Sequence, residues 1–502
     1  MSSDAVEAPQ SASSEPASVG GKVGRGALWS LLNTVVLRLG TLVSGIILAR
    51  LLSPADYGVF AVALVAVTLL QAFNELGVSL ALVRWQRDVR EFAPTAMTIA
   101  VGTSTAMYAL VFFGAPAFCE LMGSPDAVGV VRVLCLAVIF DGIAVVPAAI
   151  LNREFLQRTR FLCDAAAFVV VTSVTMSLAV SGAGAMSFAV GQIAGNLVSV
   201  TCYLVLCPVK VRPGWHGETA RELIRFGLPL AAASLLVLSV TNVDKIIIGG
   251  LADEVALGLY VMAFNQSSLP LQVFSEAARR VSLAGFSRLV DDKRQLEQAL
   301  ARGVGLLMAA AIPVCALLAC YATPLLHAVY GEKWIPAAVA LQVLAGLGLV
   351  RILLFIGYDL LVALDGNRVL IGLQALWLGT MVPALLVGTH LDGIRGASIA
   401  QVAVAVLIVL PAFAVVIRRR GVRLTPSLLA MRRPVIGGLL LVASAFAVHR
   451  LFDGMWAQLL VGAAAAAALY VPIVYPMRAM LPGRGKAVEP VDVPQTALPG
   501  TV

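Results

Sequence analysis

Residues 26–84 read GALWSLLNTVVLRLGTLVSGIILARLLSPADYGVFAVALVAVTLLQAFNELGVSLALVR, two apolar runs joined by a tight turn. At 1.5 Å rise per residue, about 20 residues cross a hydrocarbon core of about 30 Å, and each run is long enough. Each also carries an ionisable residue well inside it, Arg38 in the first and Glu75 in the second. A charge at that depth costs about 2.5–3.5 kcal/mol even on the lenient insertion scale, so it is expected to face a partner or a water-filled cavity. The rest of the chain repeats this theme. The fold class expected is an all-α polytopic membrane protein with a polar interior.

Composition agrees. The chain has 502 residues, 60% hydrophobic and 13% charged, where a soluble domain carries roughly 25% charged residues. Residues 1–22 open with MSSDAVEAPQSASSEPASVG, rich in Ser, Ala and Pro and without Lys or Arg. They read as a disordered cytoplasmic tail and lack the basic start and short apolar core of a signal peptide. Insertion is then expected to depend on the first membrane helix. Residues 481–502 read as a second disordered cytoplasmic tail. The net charge of +8 sits in short loops between apolar runs, which argues against nucleic acid as a partner. The seven cysteines form no C-x-x-C or Cys/His cluster, so no metal, cofactor or disulfide framework is indicated.

Apolar runs predict about fourteen crossings: 27–49, 57–83, 93–117, 128–151, 161–182, 184–207, 226–250, 256–278, 302–322, 336–363, 369–389, 395–417, 434–452 and 455–476. The two runs meeting at Ser181–Gly184 are either two helices with a short turn or one long kinked helix. With the amino terminus inside, 28 of the 36 basic residues fall in inside segments, five outside (Arg50, Arg132, Lys333, Arg395, Arg450), and three within helices. Positive-inside sorting predicts this bias for an even helix number, with both termini cytoplasmic.

The longer inside loop 208–225 separates a six-helix lobe, 23–207, from a second, 226–417. A basic cytoplasmic loop, 418–433, leads to a two-helix extension, 434–480. Phe286–Ala301 is helix-favouring and reads as a solvated connector at the cytoplasmic surface. An internal repeat links the lobes: Gly58-x-Phe60-x-x-Ala63 opens the second helix and Gly258-x-Tyr260-x-x-Ala263 the eighth.

The turn Arg50-Leu51-Leu52-Ser53-Pro54-Ala55-Asp56-Tyr57-Gly58, after a first helix opening Gly26-Ala27-Leu28-Trp29, resembles the R-x-L-x-P-x-D-Y/F-G turn of polysaccharide flippases. Asn74-Glu75-Leu76-Gly77-Val78 fits the same family. Asn242-Val243-Asp244-Lys245-Ile246-Ile247-Ile248-Gly249, followed by Ala256-Leu257-Gly258-Leu259-Tyr260, is similar to that family's seventh-helix signature. These are the Wzx-type exporters of the multidrug/oligosaccharidyl-lipid/polysaccharide superfamily. The resemblance implies two six-helix bundles around a central cavity. It also implies alternating access that flips a polyprenyl-diphosphate-linked oligosaccharide, built on undecaprenol, to the outer leaflet of the inner membrane. The glycan would serve an exopolysaccharide, capsule or O-antigen, with the polysaccharide polymerase and export machinery as partners.

Polar faces along the runs fit such a cavity. Thr34, Arg38 and Thr41 share one face of the first helix, Gln71 and Glu75 one face of the second, and Gln192 and Asn196 one face of the sixth. The seventh carries Asn242, Asp244 and Lys245; the tenth carries Arg351 mid-span and Asp359. A diphosphate that leaves water needs fixed donors, which the guanidinium groups of Arg38 and Arg351 and the ammonium of Lys245 supply. Neutral sugars would use the Asn, Gln and Thr side chains. Glu75, Asp141, Asp244 and Asp359 are candidates for proton or sodium coupling or gating, since a carboxylate in low dielectric titrates according to its access to either side. The alternative is that these carboxylates pair with the cations and lock helices together. Two rival functions are a cation-coupled exporter of small drugs or metabolites and a membrane-embedded enzyme of envelope polysaccharide assembly. The first expects a compact, aromatic, acidic cavity. The second expects a large outer loop or an intramembrane His/Asp constellation, and the sequence has neither.

Overall fold

The computed structural model describes residues 40–74, 89–154, 156–289 and 292–480, and no strand occurs among them. The expected tails, 1–22 and 481–502, and the expected site residues Thr34, Arg38 and Glu75 lie outside these residues. Helices α1 (Gly40–Leu51, where the described chain begins), α2 (Pro54–Asn74) and α3 (Val89–Leu121) are followed by α4 (Val128–Cys135) and α5 (Ala137–Arg153). Then come α6 (Gln157–Val180), α7 (Met186–Leu206), α8 (Gly217–Leu251), α9 (Glu254–Arg288) and α10 (Lys293–Cys320). A short α11 (Ala322–Tyr330) precedes α12 (Ala338–Ala363) and α13 (Asn367–Val404). The chain ends with α14 (Leu410–Arg419), α15 (Thr425–Leu451) and α16 (Met455–Val474).

Ten helical stretches among the described residues are long and apolar enough to cross a membrane. One of them, Arg368–Arg419, is broken at Asp392 (φ −150°, ψ 37°) and Gly393 (φ 50°, ψ −133°) and so holds two of the expected crossings. With α1 and the 35-residue α8 and α9, the described helices are compatible with fourteen. The protein is a multi-pass membrane protein.

Helix starts follow local chemistry. Ser53 and Asp56 form a capping box at α2: Ser53 Oγ accepts from Asp56 N (3.2 Å) and Asp56 Oδ2 accepts from Ser53 N (2.8 Å), with Pro54 as the first helical residue. Asp253 Oδ1 accepts from Ala256 N (2.6 Å) at α9, and Asp292 Oδ1 accepts from Arg294 and Gln295 N at α10. The run at 181–184 is a turn between two helices, because Gly182 (φ +83°) and Gly184 (φ +54°) are both left-handed. Elsewhere helices outrun the apolar segments. α8 starts at Gly217 instead of 226, and α9 reaches Arg288, so the expected connector 286–301 is shared between α9 and α10. Beyond the hydrocarbon a helix continues on polar residues, where hydropathy carries no boundary signal.

The chain gathers into two compact units. One comprises the described residues up to Asn265, Leu326–Ala340 and Gln374–Val404. In it α6 and α7 lie along one another, α5 packs on α3 and α7, and α2 packs on α4 and α8. The other comprises the described residues of Gln266–Leu325, Leu341–Leu373 and those from Ala405 onward. There α10 packs along α15, α15 along α16, and the Tyr470 hydroxyl of α16 donates to Ala309 O of α10 (2.9 Å).

Candidate functional site

The polar side chains singled out in the sequence fall into separate clusters, each built differently. The turn Arg50–Gly58 is a docking knot within the first unit. Arg50 Nε donates to Val329 O (2.8 Å) and its Nη2 to Ala328 O (2.6 Å), the last carbonyls of α11. A cation there also meets the negative end of the helix dipole. In return Lys333 Nζ donates to Arg50 O (2.9 Å) and Leu52 O (2.6 Å), and Trp334 Nε1 donates to Ala49 O (2.8 Å). Trp334 is fully buried and meets Tyr57 edge to face at 5.0 Å. Asp56 Oδ1 accepts from Ala185 N (3.1 Å), fastening the turn to the start of α7.

The second cluster surrounds Asp244 of α8, which is 2% exposed. An unpartnered carboxylate at such burial would be very costly, and donors converge on it. Asp244 Oδ2 accepts from the Tyr260 hydroxyl (2.7 Å) and from Gln401 Nε2 (3.0 Å). Gln401 Nε2 also contacts the Tyr260 oxygen, while its Oε1 has no hydrogen-bond partner among the described residues. Lys245 Nζ lies 3.7 Å from Asp244 Oδ1 and donates to Thr241 O (3.1 Å) and Asn242 Oδ1 (3.2 Å). It also sits 4.6 Å from the centre of the Phe264 ring, a cation–π contact. Asn242 is buried, its Nδ2 donating to Leu238 O (2.9 Å). The arrangement is one buried carboxylate with a phenol and an amide on one oxygen and a cation beside the other. It joins α8, α9 and the second arm of α13.

In a third cluster, Gln192 Nε2 donates to Asn196 Oδ1 (2.9 Å), and Asn196 Nδ2 donates to Asp141 Oδ1 (3.4 Å). The two amides of α7 thus lead to a carboxylate of α5. Thr41 and Gln71 are exposed, on α1 and α2. In the second unit, Arg351 is half-buried and Asp359 is 1% exposed, both on α12.

Tyr260, Phe264 and Gln401 were not among the residues expected at the site. Tyr260 had a signal, because the internal repeat places a hydroxyl there where the first copy has Phe60. Gln401 sits 157 residues from Asp244 and had none beyond being polar in an apolar run.

Residues 47–339 match the family described as polysaccharide biosynthesis protein. The lipopolysaccharide biosynthesis protein WzxC of Escherichia coli K12 is 21% identical over 395 residues, which are 78% of this chain and 80% of that protein. The succinoglycan biosynthesis transport protein ExoT of Rhizobium meliloti is 25% identical over 60% of each chain. Among solved structures, the lipid II flippase MurJ in an inward closed conformation is similar with a TM-score of 0.73 and 14% identity, over 90% of this chain and 99% of that one. An inward-facing multidrug transporter of the MATE family follows with a TM-score of 0.62 and 17% identity, over 77% of this chain and 95% of that one. At these identities the two structures speak for the fold alone. The fold, the membrane helices and the match over more than half of its length together place the chain in the polysaccharide biosynthesis protein family.

Proposed function

We propose that this protein is a flippase. It moves an undecaprenyl-diphosphate-linked oligosaccharide from the cytoplasmic to the outer leaflet of the inner membrane, for an exopolysaccharide, capsule or O-antigen. The observation that carries the reading is the family match, in a chain whose fold is similar over 90% of its length to that of a lipid II flippase. The names of its relatives, lipopolysaccharide biosynthesis and succinoglycan transport, point to the same class of cargo.

The lobes 23–207 and 226–417 alternate in access, both termini lie in the cytoplasm, and the protein does no covalent chemistry. Arg38, Lys245 and Arg351 receive the diphosphate; Thr34, Thr41, Gln71, Gln192, Asn196 and Asn242 receive sugar hydroxyls. Coupling to H⁺ or Na⁺ runs through carboxylates, with Glu75, Asp141 and Asp359 as candidates and Asp244 the best equipped. Asp244 is buried and has a hydroxyl, an amide and an ammonium gathered around its two oxygens. The polymerase and export machinery take the product.

The test is leaflet-resolved. In a strain lacking the gene, surface-exposed glycolipid is labelled in intact cells and compared with the total in broken cells. A diphosphate-linked oligosaccharide labelled only after breakage is expected. Unchanged lipid-linked glycan and surface polymer, with lower tolerance to small toxic compounds, would replace this reading with the drug exporter that the MATE-like fold admits. A normal flipped glycolipid that is never polymerised would favour an assembly enzyme.

A further inference from the structure

Residues 418–431 read RRRGVRLTPSLLAM, a run of arginines giving way to an apolar helix. In the second unit this stretch lines a cavity of about 800 Å³ between α10, α12, α14 and the start of α15. Its shaft is hydrocarbon, with Leu353, Ile356, Phe413 and Leu428 in its walls, while Arg418, Arg423 and Ser427 line the loop end. Neither guanidinium has a carboxylate within ion-pair distance among the described residues. Glu297 Oε1 instead accepts from the backbone N–H of Arg423 (2.8 Å). Lys293 Nζ adds a third cation, placed 2.7 Å from where a Cβ on Gly421 would sit.

Two further observations point to an occupant. α15 begins without a side-chain cap at Leu424, and with Pro426 as its second residue the first-turn donors left to a ligand are the N–H groups of Thr425 and Ser427. Ser427, one turn beyond Arg423, is 6% exposed, lines the cavity, and its Oγ has no hydrogen-bond partner among the described residues. A buried hydroxyl without a partner is costly and rare.

We propose that this cavity binds one anionic glycerophospholipid of the cytoplasmic leaflet. Charge bias puts the 418–433 loop on that side, and basic pockets between helices there suit lipid phosphates. The phosphate meets Arg418, Arg423 and the start of α15, and an acyl chain fills the shaft. Ser427 Oγ donates to an ester carbonyl, which a glycerolipid carries just below its phosphate. An isoprenoid diphosphate has only hydrocarbon at that depth and leaves Ser427 unanswered. The lipid is a resident, not the cargo, and the assignment stands independently of the transport reading.

The test uses the full-length protein, delipidated in detergent and examined by native mass spectrometry. Dioleoyl phosphatidylglycerol should form one adduct that survives activation, preferred about tenfold over phosphatidylcholine. R418E/R423E should abolish the preference, A414W should block the shaft with all cations in place, and R395E, outside the cavity lining, should change nothing. The ether-linked phosphatidylglycerol, which lacks the carbonyl, should bind the unaltered protein about three- to tenfold more weakly. S427A should lose that ester-over-ether preference, a readout that misfolding cannot imitate. Equal binding of ester and ether lipids to the unaltered protein would overturn the proposal. So would undecaprenyl phosphate displacing the adduct at lower concentration than phosphatidylglycerol does, which would give the cavity to the cargo. Binding seen only after deletion of residues 481–502 would give it to the chain's own end.

Discussion

Gly58 and Gly258, equivalent positions in the two copies of the internal repeat, lie against one another where α2 and α9 cross. A Cβ on Gly58 would come within 1.8 Å of Glu254 O. One on Gly258 would come within 1.9 Å of Pro54 O and 2.9 Å of Gly58 N. Each glycine thus admits the backbone at the start of the helix that carries the other.

The first prediction concerns that crossing. G58A or G258A must separate two backbones, and each should cost about 1–3 kcal/mol of stability or more, the range for overpacking. The double variant should cost clearly less than the sum, because one displacement relieves both clashes. Thermal unfolding of the four proteins in detergent checks this, and strict additivity would show that the glycines do not share a contact.

Much of this was legible from residue types alone. The helices follow the apolar runs, and Gly182 and Gly184 mark a turn because only glycine adopts their backbone freely. The repeat that pairs Gly58 with Gly258 is visible as two short motifs, but nothing in the motifs says that the copies touch. Likewise Asp244 and Lys245 stand out as charges in an apolar run, whereas their setting depends on Gln401, brought in from another helix. Local pattern reports burial and periodicity; it does not report which distant polar groups share a pocket. The reach of α8 down to Gly217 was hidden for a related reason, since a helix leaving the bilayer loses its hydropathic signature before it loses its hydrogen bonds.

A second prediction follows from Arg50. Its guanidinium answers two carbonyls at the end of α11, while Lys333 answers two carbonyls on the Arg50 side of the knot. R50A should weaken this docking by about 1–2 kcal/mol, the worth of charge-assisted bonds to a helix terminus. R50K should recover part of it, because an ammonium cannot reproduce the fork. Hydrogen exchange over residues 322–337 should speed up in the order R50A, R50K, unaltered protein.

The Asp244 cluster yields a third. Y260F removes a 2.7 Å hydrogen bond to a buried carboxylate and should cost about 1.5–3 kcal/mol. D244A should cost more, about 3–5 kcal/mol, since it leaves Lys245 without its carboxylate neighbour and the Tyr260 hydroxyl without its acceptor. D244N keeps the shape and one acceptor but also leaves Lys245 without its carboxylate, so it should cost less than D244A, and export per folded molecule should lose any dependence on the ion gradient. Export by D244N that still collapses when the gradient is dissipated would move coupling to another carboxylate.

The fourth prediction weighs cargo binding against helix locking at the cations. If Arg351 receives a diphosphate, R351E should abolish surface polysaccharide while protein persists in the membrane at normal level, and R351K should retain partial export. If Arg351 serves only to lock α12 in place, R351E should lower stability and membrane abundance together, and export per folded molecule should be spared. The same pair of readouts applies to R38E. Lys245 differs from both, because its ammonium already lies beside Asp244, Asn242 and the Phe264 ring. K245E would then set two carboxylates side by side in a buried site, where like charges are strongly unfavourable, and should unfold the cluster. K245M, which keeps the stem and removes the charge, is the informative variant. Loss of export in K245M at normal abundance would assign Lys245 to the cargo, and full export would leave it as the structural partner of Asp244.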